Sequence, residues 1–196
     1  MHKKKWIRIN FFIVLYLMVL SNSLFSIDFS ADEPSERRND NSQTIPSSSV
    51  NSYQWAWISG NKTSNNYGVY GTKGIPDIDN YPGGRNGSVT WYLNNTYYLF
   101  GGNGLSESGL PGLLNDLWSF NATSTEWTWI AGNKSYHING HYGTKGVPDI
   151  TNFPGTRKDS ACWHDKSGNL WIFGGYGIDE VMMEGEMNDL WMFNLT

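Results

Sequence analysis

The sequence is poor in cysteine and in charged side chains. Cys162 is its single cysteine, and charged residues make up 16% of the 196 residues. One cysteine excludes an internal disulfide, so a folded domain has to be stabilised by packing and hydrogen bonds alone. Cys162 lies between Ala161 and Trp163 in an apolar run, which indicates a buried and inert thiol.

Helical periodicity and long apolar runs are also missing. Beyond the N-terminus, no segment repeats its apolar residues with the 3.6-residue period of an amphipathic helix. The longest apolar run, residues 11–20, is shorter than the about 20 residues that span a bilayer. It follows three lysines and Arg8 and precedes small residues up to Ser26, which is typical of a secretory signal peptide. We therefore expect a signal peptide over residues 1–26 and a secreted, extracellular protein, with an uncleaved signal anchor as the alternative.

After cleavage of the predicted signal peptide, the chain has a net negative charge. Removal of residues 1–26 takes away four basic residues and no acidic one, leaving 10 Lys and Arg against 18 Asp and Glu. Nucleic-acid binding requires a basic surface, so we expect no nucleic-acid partner, and no membrane span after cleavage. Residues 27–52 are Ser-rich and polar, which predicts a disordered linker. The globular segment is then expected over residues 53–196.

A repeat dominates this globular segment. YGTKGIPDIDNYPGGR at residues 70–85 returns as YGTKGVPDITNFPGTR at residues 142–157. Three further pairs keep the same order: WAWISGNK (55–62) with WTWIAGNK (127–134), YYLFGG (97–102) with LWIFGG (170–175), and NDLWSF (115–120) with NDLWMF (188–193). The offset is 72 residues, and 73 after a one-residue insertion before Leu170. A fixed period of this kind indicates tandem structural units.

Each unit contains four short runs of β-branched and aromatic residues bounded by turn formers, which predicts four strands. In the first unit these are strand a (SVTWYL), strand b (TYYLF), strand c (DLWSF) and strand d (WTWIA). The chain is therefore predicted to be all-β, with a lone strand d at 55–59, a four-stranded blade at 85–131 and an incomplete blade at 157–193. Tandem four-stranded sheets with aromatic faces bury those faces by stacking radially, as in a β-propeller.

Several repeated residues resemble a known family. They are Arg85 before strand a, the pairs Gly101–Gly102 and Gly174–Gly175 that end strand b, Trp118 and Trp191 in NDLW, and Trp55 and Trp127 in strand d. This pattern resembles the kelch repeats of the galactose oxidase/kelch superfamily of propellers. Kelch units are typically near 50 residues. The longer unit here, with its excess between strands d and a, is similar to that of long-loop kelch proteins secreted by microbes and protists. The resemblance implies a partial kelch-type propeller, but propellers carry unrelated functions.

Consecutive antiparallel strands place the b–c loops and the d-to-a crossovers on one face, and these are the long connections. The interpretation that follows is an extracellular binding or scaffold module for a protein or carbohydrate ligand. The candidate ligand-binding residues are Arg85, Arg157, His137, His141, Tyr142, Glu107, Asp179 and Glu180. For the repeated segment itself, the favoured interpretation is a structural arm that packs Tyr70 and Tyr142 on the sheets and directs Arg85 and Arg157 inward, and repeated ligand contacts are the alternative.

Catalysis is not indicated. A galactose-oxidase-like copper oxidase is the alternative that the resemblance offers, and it implies a Tyr–Cys cross-link, two histidines and a further tyrosine, which we cannot place here. We expect no catalytic residue, no metal and no cofactor. A further alternative is a truncated fragment of a larger kelch protein, since propellers have four to eight blades.

Two further expectations concern the surface and the assembly. Asn61, Asn121 and Asn133 lie in Asn-x-Ser/Thr sequons within loops and are candidate glycosylation sites. A homo-oligomer is also possible, because the spare strand d of one copy matches the strand that the incomplete blade of another copy lacks.

Overall fold

The computed structural model describes residues 53–195, and all regular secondary structure within them is β-strand. The strands are β1 (Arg85–Asn86), β2 (Val89–Leu93), β3 (Thr96–Leu105), β4 (Pro111–Asn121), β5 (Glu126–Ala131), β6 (Arg157–Lys158), β7 (Ala161–His164), β8 (Leu170–Ile178) and β9 (Glu184–Phe193). The all-β prediction is confirmed. The predicted signal peptide (1–26) and linker (27–52) lie outside the described residues. Within residues 53–195, no helix has the length and apolar character that a membrane crossing requires.

The first sheet is an antiparallel meander. β1 and β2 are two parts of one strand interrupted at Gly87 and Ser88, and both pair with β3, which pairs with β4, which pairs with β5. Strands a, b, c and d therefore lie side by side in chain order, as predicted. Strands b and c are longer than predicted, because β3 continues through its glycine pair to Leu105 and β4 begins at Pro111.

The glycine pair forms a bulge that lets β3 continue. The β3–β4 register shifts between Phe100 and Gly102, where Gly101 and Gly102 have φ values of 64° and 98°. Positive φ favours glycine. A Cβ on Gly101 would also lie 2.6 Å from the carbonyl oxygen of Arg157. A side chain at this position would therefore separate the first sheet from the start of the second.

The second sheet repeats this arrangement up to its third strand. β6 and β7 pair with β8, and β8 pairs with β9. Among residues 53–195, no strand pairs with the outer edge of β9. The strand predicted at 55–59 is absent from the structure, and Trp55 is fully exposed. That prediction is wrong here because a strand requires a neighbour for its backbone hydrogen bonds, and no other residue of the described range pairs with this segment.

The main core lies between the two sheets, where β2 faces β7. Its buried members are Val89, Trp91, Phe100, Leu117, Leu170 and Ile172. The indole Nε1 of Trp91 donates a 2.9 Å hydrogen bond to the carbonyl oxygen of Trp163, which ties β2 to β7. Cys162 is half-buried at the same junction rather than fully buried as expected, and burial raises the pKa of its thiol.

Candidate functional site

The two ends of the repeated segment converge on one buried aspartate. The hydroxyl of Tyr70 donates a 2.6 Å hydrogen bond to Oδ2 of Asp116. The guanidinium of Arg85 donates to both carboxylate oxygens, with Nη1–Oδ1 at 2.6 Å and Nη2–Oδ2 at 2.8 Å. The indole Nε1 of Trp118 donates to Oδ2 at 2.7 Å. We call these four residues, Tyr70, Arg85, Asp116 and Trp118, the first aspartate cluster.

The same arrangement occurs in the second copy, as the second aspartate cluster of Tyr142, Arg157, Asp189 and Trp191. Tyr142 donates to Asp189 Oδ2 at 2.6 Å, Arg157 donates to Oδ1 at 2.6 Å and to Oδ2 at 2.8 Å, and Trp191 donates to Oδ2 at 2.6 Å. Four residues from three separate parts of the chain thus meet with nearly the same distances in both copies.

Local structure explains why these side chains meet. Asp116 and Trp118 are two residues apart on β4 and therefore point to the same face. Arg85 lies on β1 and also donates to the carbonyl oxygens of Gly83 and Gly101. Tyr70 follows an isolated antiparallel bridge between Val69 and Tyr81, and its ring lies 4.7 Å from that of Trp118. Each polar group of the cluster is therefore satisfied within the fold.

Burial makes these clusters electrostatically strong. The side chains of Arg85 and Asp116 are 5% and 0% exposed, and those of Arg157 and Asp189 are 0% and 14% exposed. Burial and the hydrogen bond and charge of Asp189 raise the pKa of Tyr142 to about 12. Although burial alone would raise the pKa of Asp189, hydrogen bonds from Arg157 and Tyr142 and the charge of Arg157 lower it to about 2. The carboxylate is therefore held ionised.

This geometry separates two interpretations of the repeated segment. Arg85, Arg157 and Tyr142, which we predicted as ligand-binding residues, have their polar atoms engaged inside the clusters. We therefore withdraw that prediction for these three residues. The structural arm that the sequence favours agrees with these contacts. Asp116 and Asp189 escaped notice in the sequence, although the Asp of NDLW is kept in both copies.

The other predicted ligand residues are spread along the second crossover segment (residues 132–157) and the two loops that contact it. Glu107 is exposed, forms a 2.8 Å ion pair with Lys134, and donates its amide to the carbonyl oxygen of Lys134. Glu180 is exposed and accepts a hydrogen bond from Asn139 through its carbonyl oxygen. The amide of Gly140 donates to the carbonyl oxygen of Asp179 at 3.3 Å. The predicted sharing of one face by these connections agrees with these contacts.

The two histidines do not form a site with these acidic residues. His137 is half-buried beside Tyr136, and its amide donates to the carbonyl oxygen of Leu113. His141 is exposed, with its ring 6.1 Å from that of Phe153. In the described part of the chain, no three His, Cys, Asp or Glu side chains come together closely enough to hold a metal ion.

Two open clefts occur elsewhere on the surface. One of about 310 Å³ is lined by Trp57, Asn61, Ile78, Tyr81 and Thr125, among others. The other, of about 270 Å³, is lined by Lys158, Asp159, Gly175, Tyr176 and Glu186. Neither contains a predicted ligand-binding residue.

The two b–c loops of the sequence form a matched pair in the structure. The β3–β4 loop (residues 106–110) and the β8–β9 loop (residues 179–183) have five residues each. Both are closed by the same backbone hydrogen bond, from the first amide to the last carbonyl oxygen, at 3.1 and 2.9 Å. Their sequences, SESGL and DEVMM, share only the glutamate at the second position, Glu107 and Glu180. The structure therefore presents two different surfaces on one loop scaffold.

Met182 in the second loop stands where the first loop has Gly109. Their φ values are 67° and 76°, and the left-handed region costs a non-glycine residue roughly 1–2 kcal/mol. Asp179 helps to hold this conformation, since its Oδ1 accepts the amides of Val181 and Met183. Val181, Met182 and Met183 are all exposed. The loop thus holds an apolar tip in a conformation that favours glycine.

The candidate glycosylation sites are all exposed. Asn61 donates its Nδ2 to the hydroxyl of Tyr81 at 3.3 Å. Asn121 and Asn133 accept amide hydrogen bonds through Oδ1 within their own turns.

Of the repeated tryptophans, Trp118 is fully buried, Trp127 and Trp191 are half-buried, and Trp55 is exposed. Trp191 is therefore less buried than Trp118, its counterpart in the first sheet.

Comparisons with known proteins leave the family open. No family model matches the chain, and no curated protein matches it. Among solved structures, the one titled "Structure of YjhT" is similar over 50% of this chain and 23% of that chain, with 19% identity and a TM-score of 0.35. A likeness of this extent defines neither a family nor a function for the chain.

Acidification should weaken the fold through the second aspartate cluster. The pKa of Asp189 is about 2 in the folded chain against an ordinary value of 3.8. A lowered pKa means that the carboxylate stabilises the fold above pH 4 and that this contribution is lost as the pH falls toward 2. We expect the free energy of unfolding, measured by urea titration at several pH values, to fall through this window.

Asp189→Asn is the matched control for that measurement. Asn does not titrate, so this variant should show a shallower decline between pH 4 and 2. Some decline will remain, because hydrogen bonds from Asn169 and Trp171 also lower the pKa of Asp165 to about 2. Equal slopes for the variant and the unmodified chain would contradict the assigned role of Asp189.

Proposed function

We propose that this chain is part of a secreted kelch-type β-propeller that acts as a binding or scaffold module and catalyses no reaction. Its ligand is a protein or a carbohydrate, held by loops on one face. One observation carries the proposal. The Tyr, Arg, Asp and Trp residues of the two aspartate clusters, which both copies share, are engaged inside the fold, whereas Leu110 of one loop and Val181, Met182 and Met183 of the other, which differ, are exposed.

The propeller part of the proposal is supported by the arrangement of the sheets. Each is a meander whose strands follow chain order, and the first strands of the two sheets, β2 and β7, face each other. The offset of 72–73 residues relates the two aspartate clusters as well as the strands. Tandem four-stranded units related in this way are the parts from which propellers are built.

The binding part is supported by the loops. The β3–β4 and β8–β9 loops share a closing hydrogen bond, but the first is polar and the second carries Val181, Met182 and Met183. Loops of variable chemistry on a repeated, rigid scaffold are where binding residues usually occur. Methionine adapts its shape to a partner better than other apolar residues do. The β8–β9 loop, which includes Glu180, is therefore the element on which we place ligand contact, and Glu107 and His141 are further candidates on the other long connections.

Exchange of the two loops tests this function. In the test variant, residues 179–183 are replaced by SESGL, the sequence of residues 106–110. The common closing bond and equal length should preserve the fold. The unmodified chain and the variant are then screened against a printed glycan array and a displayed peptide library. We expect the unmodified chain to retain a defined set of glycans or peptides, and the variant to lose it.

The control is the reverse exchange, in which residues 106–110 become DEVMM and the native β8–β9 loop is kept. This control should retain the original set. Identical binding by the test variant and the unmodified chain would contradict the role of the β8–β9 loop, and no binding to either library would count against a binding module. Stoichiometric copper in the purified protein would favour the oxidase alternative instead.

A further inference from the structure

The outer edge of β9 differs from the equivalent edge of β4 in being uncovered. In the first sheet, β5 pairs with β4, and Trp118 is fully buried against Trp127 and Trp129 of β5, whereas its counterpart Trp191 on β9 is only half-buried. Asn115 is buried, and its counterpart Asn188 is exposed. The second sheet therefore has an uncovered apolar strand edge, and β5 covers the equivalent edge in the first sheet.

Residues 55–59 match the strand that would cover this edge. Their sequence, WAWIS, corresponds to WTWIA at residues 127–131, most of β5. Their local conformation also corresponds. The indole of Trp57 donates to the carbonyl oxygen of Ser59 at 2.8 Å, and that of Trp129 donates to the carbonyl oxygen of Ala131 at 2.7 Å. The glycines that follow, Gly60 and Gly132, have φ values of 83° and 75°. The segment is thus shaped like β5 without being paired.

The first crossover segment (residues 60–85) shows how β5 is held from its other side. The amides of Gly74 and Asp77 donate to the carbonyl oxygens of Trp129 and Trp127, at 2.8 and 3.3 Å. Lys73 lies over the ring of Trp129, with its Nζ 4.3 Å from the centroid, and donates to the carbonyl oxygen of Gly132. β5 is therefore enclosed between β4 and this segment.

The second crossover segment carries the same groups without such a strand. Its counterparts are Lys145, Gly146 and Asp149, and its own turn is formed in the same way, with Val147 donating to Thr144 at 3.0 Å as Ile75 donates to Thr72. Within the described residues, the amides of Gly146 and Asp149 form no hydrogen bond. β9 and the second crossover segment thus border an unfilled slot. This slot is equivalent to the one between β4 and the first crossover segment, which β5 occupies.

We propose that residues 55–59 of a second copy of this chain fill this slot and pair with β9 as β5 pairs with β4. The β4–β5 register then places Trp57 opposite Trp191, Ala56 opposite Met192 and Trp55 opposite Phe193. Within one copy, Trp57 and Ile58 line a cleft with Ile78 and Tyr81 on the first crossover segment, away from β9. The contact is therefore head-to-tail between copies.

The side chain of Asn188 gives the contact a polar component. In the first sheet, Asn115 accepts the amide of Asn133 at 3.1 Å and donates to the carbonyl oxygen of Pro154 at 3.0 Å. The corresponding groups for Asn188 are the amide of Asn61 and the carbonyl oxygen of Pro82 in the second copy. This assembly goes beyond the proposed function, since it requires no ligand and no catalysis.

A cysteine cross-link tests the register. Ala56→Cys and Met192→Cys are combined with Cys162→Ser in the full chain, because the equivalent residues Thr128 and Ser119 face each other across β4 and β5. Facing residues of antiparallel strands are about 4.5–5.5 Å apart between Cα atoms, within the range of a disulfide. Chains labelled with ¹⁵N are mixed with unlabelled chains, oxidised mildly and analysed by mass spectrometry. We expect disulfides between residues 56 and 192 that join labelled to unlabelled chains.

The control pairs Ala56→Cys with Ser108→Cys, an exposed residue of the β3–β4 loop in the first sheet, and should give no such 56–108 product. A 56–192 disulfide found only within single chains would overturn the proposal, and so would its absence.

Light scattering provides a second test without added cysteines. The unmodified chain should have at least twice the mass of one copy, and Trp55→Ser/Trp57→Ser should reduce it to one copy with unchanged circular dichroism. Val181→Ser/Met182→Ser removes equally exposed apolar side chains from the β8–β9 loop and should leave the assembly intact. This loop variant tests the proposed ligand contact separately, so failure of one proposal does not imply failure of the other. A monomeric unmodified chain, or dissociation only in the loop variant, would overturn the strand contact.

Discussion

Replacement of Asp116 by asparagine is expected to lower the free energy of unfolding by about 3–5 kcal/mol, the usual cost of leaving one partner of a buried ion pair without the other. Asparagine keeps the shape of the side chain but removes the charge that balances Arg85, whose side chain is 5% exposed. Tyr70 and Trp118 also lose a charged acceptor. Urea unfolding followed by tryptophan fluorescence measures this loss.

Asp189→Asn is the matched comparison, because its cluster has the same bonds but its carboxylate is 14% exposed. Solvent reaches the Asp189 carboxylate and screens its charge, so its interaction with Arg157 is weaker and we expect a smaller loss than at Asp116. A loss at Asp116 below about 1 kcal/mol, the range of exposed ion pairs, would show that this cluster does not hold the fold together.

Trp118→Ala is expected to cost about 3–5 kcal/mol of unfolding free energy, as large aromatic truncations in cores do. Trp118 is fully buried. The centroid of its ring lies 4.7 Å from that of Tyr70 and 6.4 Å from that of Trp127, which it meets edge to face. Its removal leaves a cavity where the first crossover segment packs on the sheet, and Asp116 loses one hydrogen-bond donor. Thermal and urea unfolding should both report the loss.

Trp191→Ala, measured at a protein concentration low enough to keep the chain monomeric, is the control. Trp191 contacts Tyr142 at 4.9 Å but is only half-buried, so its truncation should cost clearly less. Trp118→Phe separates packing from the Nε1 hydrogen bond and should lie between the unmodified chain and Trp118→Ala. Equal losses for Trp118→Ala and Trp191→Ala would contradict the difference in burial between the two sheets.

Much of the fold could be predicted because its signals are local. Alternating apolar residues and turn formers placed strands a to d of the first unit close to β2, β3, β4 and β5. The extra length of β3 and β4 was not predicted, because a pair of glycines usually indicates that a strand ends. Here the pair forms a bulge with positive φ, and the strand continues beyond it.

The site was harder to predict because it depends on contacts between distant residues. Tyr70 and Asp116 are 46 residues apart, and nothing in the sequence around Tyr70 indicates a carboxylate partner. The two arginines were predicted to contact a ligand because they are charged residues in a repeat. Both instead donate to carboxylates inside the protein, Arg85 to Asp116 and Arg157 to Asp189. Residues 55–59 show the opposite case, since their sequence is that of a strand but a strand forms only beside a neighbour.

The central claim is that the repeated segment is joined to each sheet through an aspartate, and a double-mutant cycle between Tyr70→Phe and Asp116→Ala tests it most directly. The free energy of unfolding is measured for the unmodified chain, the two single variants and the double variant. If the Tyr70 hydroxyl donates to the Asp116 carboxylate, as the 2.6 Å distance indicates, the two losses should be coupled by about 1.5–3 kcal/mol, the range for hydrogen bonds to charged groups. Losses that simply add, within about 0.5 kcal/mol, would contradict the claim.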